Sequence, residues 1–229
     1  MLDLAGAVFT PAAFAVILIS VASTLTLRLG QRIGLAAIAG GWAGVAVATT
    51  AAGALDNAAR GAIAVLVLFS TPLAATAILA ALSATARRAL LALPMSLLVG
   101  LNVIRVAGVF FLLLAATGRL AGPFPYSAGW GDIVTGVLAV PVAWLAARQP
   151  GKRRLIWAWN AFGALDLVVA VALGITSRNG SPLQIIHAGV GTAALTQLPW
   201  SMVPTFFVPF FLIGHAVIFA KLRAEETAA

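Results

Sequence analysis

Two charged side chains stand inside long apolar runs of this chain: Arg105 in LLVGLNVIRVAGVFFLLLAA and Asp166 in LIWAWNAFGALDLVVAVALG. A charge at the middle of a lipid-bathed helix costs roughly 2.5 to 3.5 kcal/mol or more, so an acid and a base placed this way are expected to pair. Such a pair has two uses. It can lock helices together as a structural ion pair, or it can hold a small ion or a proton away from bulk water. If both runs are helices, each residue lies about eleven positions, or about 16 Å, from the same end of its helix. The two can therefore meet at one level.

Other polar side chains fall on the same faces. Asn102 precedes Arg105 by one turn, and Trp159 precedes Asp166 by seven residues, so each shares its neighbour's face. Asn160 and His215 form a second matched level, roughly 8 to 9 Å from the same end of their helices. They would extend a polar track along the bundle. His215 reads either as a hydrogen-bonding link between helices or as a proton carrier or ligand. Asp132, in SAGWGDIVTG, falls at the start of its apolar run. There an acid in the first turn satisfies free amides and suits the helix dipole. With Tyr126, Trp130, His187 and Trp200 it could instead line a vestibule.

The two histidines, His187 and His215, invite a haem or metal reading. His215 lies some 20 Å deeper by helical rise, so the two should not share one metal. Cysteine is absent, which removes thiolate ligands, disulfides and cysteine nucleophiles. No metal site is expected, and the residues identify no cofactor. A haem or redox cofactor on His187 or His215 stands as the alternative function.

These residues must be positioned by membrane helices. Of the 229 residues 62% are hydrophobic and 9% charged, against about 25% charged in an ordinary soluble domain. Apolar runs long enough to cross a bilayer occur at residues 7–27, 33–54, 61–84, 93–117, 130–147, 155–176 and 200–221. The fold class is all-α: a polytopic bundle of seven transmembrane helices forming one domain over 1–229. The start, MLDLAGAVF, has an acid and no base, so the first run reads as a retained helix rather than a signal peptide. The segment 181–197 opens with Ser181–Pro182, a good helix start, but spans only about 25 Å as a helix. It is expected to lie in, or dip into, the outer interface. Gly40 and Gly44 form a GxxxG pattern that suggests close packing in the second span.

Charge fixes the orientation. Ten bases (Arg28, Arg32, Arg87, Arg88, Arg148, Lys152, Arg153, Arg154, Lys221 and Arg223) fall in alternate breaks on one side, and three (Arg60, Arg119, Arg178) on the other. The richer side should be cytoplasmic, which puts the N-terminus outside and the C-terminus inside. The net charge of +8 is thus a topology signal and a contact for anionic lipid, not a sign of nucleic acid. The expected location is the cell membrane, the cytoplasmic membrane in a bacterium, with the lipid bilayer as partner. Oligomeric state is left open.

No phosphate-binding loop, HExxH motif, GxSxG elbow or mid-helix lysine for a retinal is present, so the residues favour a non-enzymatic role. The leading function is translocation or sensing of a small solute or a proton. It would use a site among the last four spans, with Arg105 and Asp166 at its centre. A non-catalytic accessory subunit is a further alternative. The charge distribution gives a direct check: reporters fused after Arg88 and Arg154 should read as cytoplasmic, and those after Arg60, Gly118 and Asn179 as external. A cytoplasmic reading at Asn179 would contradict the seven-span topology.

Overall fold

The computed structural model describes residues 1–25, 28–57 and 59–226, without the side chains of residues 150, 225 and 226. Among these residues the chain is helical and turn structure with no strand. Seven helices are long and apolar enough to cross a membrane: Leu2–Thr24, Leu29–Ala51, Gly61–Leu82, Met95–Ala116, Phe124–Arg148, Arg153–Thr176 and Val203–Ala224. The first three are α1, α2 and α3. The fourth is composite, with α5 (Met95–Gly100), a 3₁₀ segment (Leu101–Gly108) and α6 (Val109–Ala116). The fifth and sixth are α7 (Phe124–Arg148) and α8 (Arg153–Thr176). The seventh opens with a π turn (Val203–Phe207) and continues as α9 (Val208–Glu226). The expected end of the first span at 27 falls outside the described residues, since 26 and 27 are not described.

Apolar side chains cover these helices on all sides. Leu4, Ile19, Ile38, Ile63, Ile78, Val140 and Leu165 are all exposed, which a water-facing bundle would not tolerate but a hydrocarbon surrounding would. The fourth and seventh spans are the most enclosed, with 44% and 50% of their central windows buried, against 11–17% for the first three. The centre of the bundle is thus the fourth and seventh spans, flanked by α7 and α8.

Three segments differ from the sequence expectation. α7 begins at Phe124, not 130, with Pro125 in its first turn, where a missing amide costs nothing. Arg87 and Arg88 sit on a separate short helix, α4 (Ala84–Ala92), whose amide at Ala86 bonds to the Ser83 hydroxyl at 3.2 Å. The segment 181–197 is not a helix. It is a run of turns with one 3₁₀ turn at Ala193–Thr196, and Gly180, Gly189 and Gly191 take positive φ of 69°, 48° and 58°. The π turn coincides with Pro204 and precedes Pro209, neither of which supplies an amide to a regular ladder.

Polar ties pin both ends of the bundle. At the base-rich end Lys221 Nζ donates to the Leu91 carbonyl at 2.5 Å, and Arg153 donates to the Leu222 carbonyl. At the opposite, loop end Asp3 accepts from Arg119 and from Trp200 Nε1, both at 2.7 Å, and Thr196 donates to Asp56 at 2.7 Å.

The fourth span and α7 approach backbone to backbone. A Cβ on Gly136 would lie 2.7 Å from the Val106 amide nitrogen, whereas Cβ atoms on Gly40 and Gly44 would meet nothing within 4 Å. The close packing that the GxxxG pattern suggested therefore occurs at Gly136 instead. Gly136→Val should destabilise the bundle by about 1 to 3 kcal/mol, and Gly44→Val should leave it unchanged. Chemical unfolding in detergent measures both.

Candidate functional site

The 3₁₀ segment sets the site's geometry. Residues three apart eclipse one another in a 3₁₀ helix, so Asn102, Arg105 and Gly108 align on one edge. All three are buried, while Val103 and Val106 are exposed. An α-helix would fan the same residues around the axis. The eclipsed edge faces α7, α8 and α9.

Arg105 is 3% exposed and spends its guanidinium on three helices. Nε donates to Asp132 Oδ1 of α7 at 2.7 Å, and Nη2 donates to Asp166 Oδ2 of α8 at 2.5 Å. Nη1 donates to the Gly163 carbonyl of α8 and to His215 Nε2 of α9, both at 3.1 Å. An arginine cannot accept, so His215 Nε2 is the acceptor and its ring proton is on Nδ1. Asn160 completes the chain: its Oδ1 accepts from His215 Nδ1 at 2.7 Å, and its Nδ2 donates to the His215 carbonyl at 3.0 Å. Both ring nitrogens of His215 are thus engaged, and a metal or haem would have to displace a partner. Among the described residues no three His, Cys, Asp or Glu side chains are placed to hold a metal ion.

Rings and missing side chains shape the surroundings. Trp159 lies 5.6 Å from the His215 ring, and its Nε1 donates to the Thr135 carbonyl at 3.1 Å. The Phe211 ring centroid is 6.0 Å from Arg105 Cζ. A Cβ on Gly131 would fall 1.7 Å from Asp166 Oδ1, and one on Gly163 would fall 2.8 Å from His215 Cε1. The two glycines are the space that the carboxylate and the imidazole occupy. Asn102 Oδ1 and Thr135 Oγ1 are buried near this cluster without hydrogen-bond partners.

Two clefts reach it. One of about 520 Å³, its open mouth included, touches Arg105 and Asp132 and is walled by Phe9, Phe111, Trp200 and Phe211. A second, of about 730 Å³, touches Asp132 from the side of α3 and α8.

The structure joins Arg105 to Asp166 and Asn160 to His215, with Asn102 on the Arg105 edge. It does not bring His187 to them, since that residue is exposed on the turns between α8 and the π turn. Tyr126 and Trp130 are exposed on α7, while Trp200 is buried against Asp3 and of these residues alone joins Asp132 in lining the cleft of about 520 Å³. Asp132 is neither a cap nor a first-turn acid. The earlier start of α7 puts it eight residues along the helix, at the level of Arg105. The contributions of the Gly163 carbonyl and of Thr135 have no signature in residue type. Pro123 and Pro125 were the available signal for the earlier helix start.

Taken together, these features define a polytopic helical protein organised around a desolvated ionic cluster. Residues 62–223 match the family model described as Domain of unknown function (DUF8737), and the chain belongs to this family. The match runs from α3 into α9 and includes every residue of the cluster. No curated protein and no solved structure matches the chain.

The charge arithmetic predicts an asymmetry among substitutions. Arg105→Met strands two carboxylates and should destabilise the protein by about 3 to 5 kcal/mol. Asp132→Asn or Asp166→Asn leaves the guanidinium one ionised partner and should cost less. Unfolding midpoints of the three variants in detergent give the comparison, and equal losses would contradict it.

Proposed function

We propose that this chain is a multi-pass protein of the cell membrane, with its N-terminus outside and its C-terminus in the cytoplasm, whose buried cluster takes up and releases a proton in translocation or sensing. Two carboxylates share one guanidinium, and that is the observation that carries the reading. With His215 accepting from Arg105, and so uncharged, the ionised cluster sums to one negative charge. An uncompensated charge is costly in a low-dielectric interior, and one proton removes it.

The surroundings support a proton rather than a larger solute at the centre. Every guanidinium nitrogen of Arg105 already donates a hydrogen bond, and two glycines are needed even to admit its partners. Asp132 and Asp166 are the groups that would carry the proton, and Arg105 would set how tightly they hold it. His215 and Asn160 continue the hydrogen-bonded chain along the bundle, while the cleft beside Asp132 offers an approach from the other side. The orientation rests on the ten-to-three distribution of bases. The haem alternative is weakened by the two engaged nitrogens of His215 and the exposed position of His187.

Proteoliposomes holding a pH-sensitive dye test the transport arm. Wild-type protein should pass protons down an imposed gradient, and Asp132→Asn and Asp166→Asn should each abolish this while remaining folded by size-exclusion chromatography. Full flux in the Arg105→Met/Asp166→Leu double variant would make the cluster structural and end this reading.

A further inference from the structure

The second cleft, about 730 Å³ with the open space at its mouth included, is a slot between α3 and α8. Val65 and Phe69 recur at the spacing of one face of α3, and Leu167, Val171 and Ile175 at that of one face of α8. α3 packs on α9 and on the π turn before it, which leaves the slot open between the two lining faces. Its walls are apolar except near the ends. Asp132 is the one acid among the lining residues, and its carboxylate is already taken by Arg105.

Arg178 is the one base, and it is only partly used. The side chain is 7% exposed, just past the end of α8. Its Nη2 donates to the carbonyls of Leu55 and Asn57, a fit that requires Gly61: a Cβ there would lie 2.6 Å from Nη2. Its Nε is buried with no hydrogen-bond partner. Burial pushes the guanidinium below its ordinary value, and Asp56 works against this. A buried donor without an acceptor is costly, and an oxygen brought by a ligand would satisfy it.

We propose that the slot binds a single-chain amphiphile, its hydrocarbon chain lying along α3 and α8 and a carboxylate or carbonyl oxygen of its head accepting from Arg178 Nε. The site has the polarity of a lipid leaflet. The polar anchor stands at the loop end of the bundle, and the apolar walls run from it towards the centre. The slot reaches Asp132, but the contacts proposed for the amphiphile, with Arg178 and the apolar faces of α3 and α8, use no member of the ionic cluster.

The test is equilibrium binding of tritiated palmitate, and separately of tritiated monopalmitoylglycerol, to the protein in nanodiscs. At least one probe should bind saturably at one per chain. Arg178→Met, which removes the donor, and Val65→Phe, which fills the slot, should each weaken that binding roughly tenfold, about 1.4 kcal/mol. Val140→Phe, on the exposed face of α7, should leave it unchanged. Palmitate alone would identify a carboxylate head, and binding of both probes an oxygen acceptor irrespective of charge. Val65→Phe, checked by thermal unfolding, decides the matter if Arg178→Met does not fold. Non-saturable uptake, or binding indifferent to Val65→Phe, would overturn the proposal.

Discussion

Arg105 donates to carboxylates on two different helices from a position almost sealed from solvent. Removing a guanidinium and two carboxylates from water is expensive, and only close geometry with full hydrogen bonding offsets it. That requirement organises the surrounding protein. The 3₁₀ segment stacks Asn102, Arg105 and Gly108 on one edge, and Gly131 and Gly163 make way for Asp166 and His215. Asn160 fixes the imidazole so that its free nitrogen faces the guanidinium. Each of these features would be a defect in an ordinary helix bundle, and each is explained by the cluster.

The first two helices lie outside this arrangement. They supply no member of the cluster, lie ahead of the residues matched to the family, and are among the least enclosed. Ala13, Ile17 and Ala46 still pack in a buried cluster with Leu101, Leu167 and Phe206, and polar ties add to this. Asp3 holds Arg119 and Trp200 at the loop end, Trp42 donates to the Thr205 carbonyl at 3.2 Å, and Thr50 donates to Ser201 at 3.1 Å. The last two contacts grip the π-turn region from outside, so α1 and α2 brace the irregular start of the seventh span. The ionic cluster lies wholly in the last four spans.

What the sequence made legible follows from which quantities are local. Helical class and seven apolar spans follow from composition and run length. The meeting of Arg105 with Asp166 and of Asn160 with His215 follows from the fixed rise of a helix, because equal distances from one end give equal depth. Asp132 reads as a helix-start acid because the apolar run begins at 130, yet Pro125 fits a first helical turn, and six residues of extra helix, 124–129, carry the acid inward. The 3₁₀ register has no residue-type signature; it is visible only in the structure, where it turns Arg105 towards four partners on three helices. The turns at 181–197 override a good Ser–Pro start, and within them Gly189 and Gly191 take left-handed conformations that a helix excludes. Arg178 counted in the sequence only as a topology charge, and its burial against Leu55 and Asn57 depends on contacts more than a hundred residues away.

The central claim is that two carboxylates around one guanidinium leave a charge that a proton neutralises. Infrared difference spectroscopy of the lipid-reconstituted protein, stepped through pH, measures this directly. The account predicts a protonated carboxyl C=O band in the wild type that declines as pH rises and is absent from the Asp132→Asn/Asp166→Asn double variant. A wild-type spectrum that matches the double variant at every pH would mean that both carboxylates stay ionised, and the cluster would then be an ion pair and nothing more.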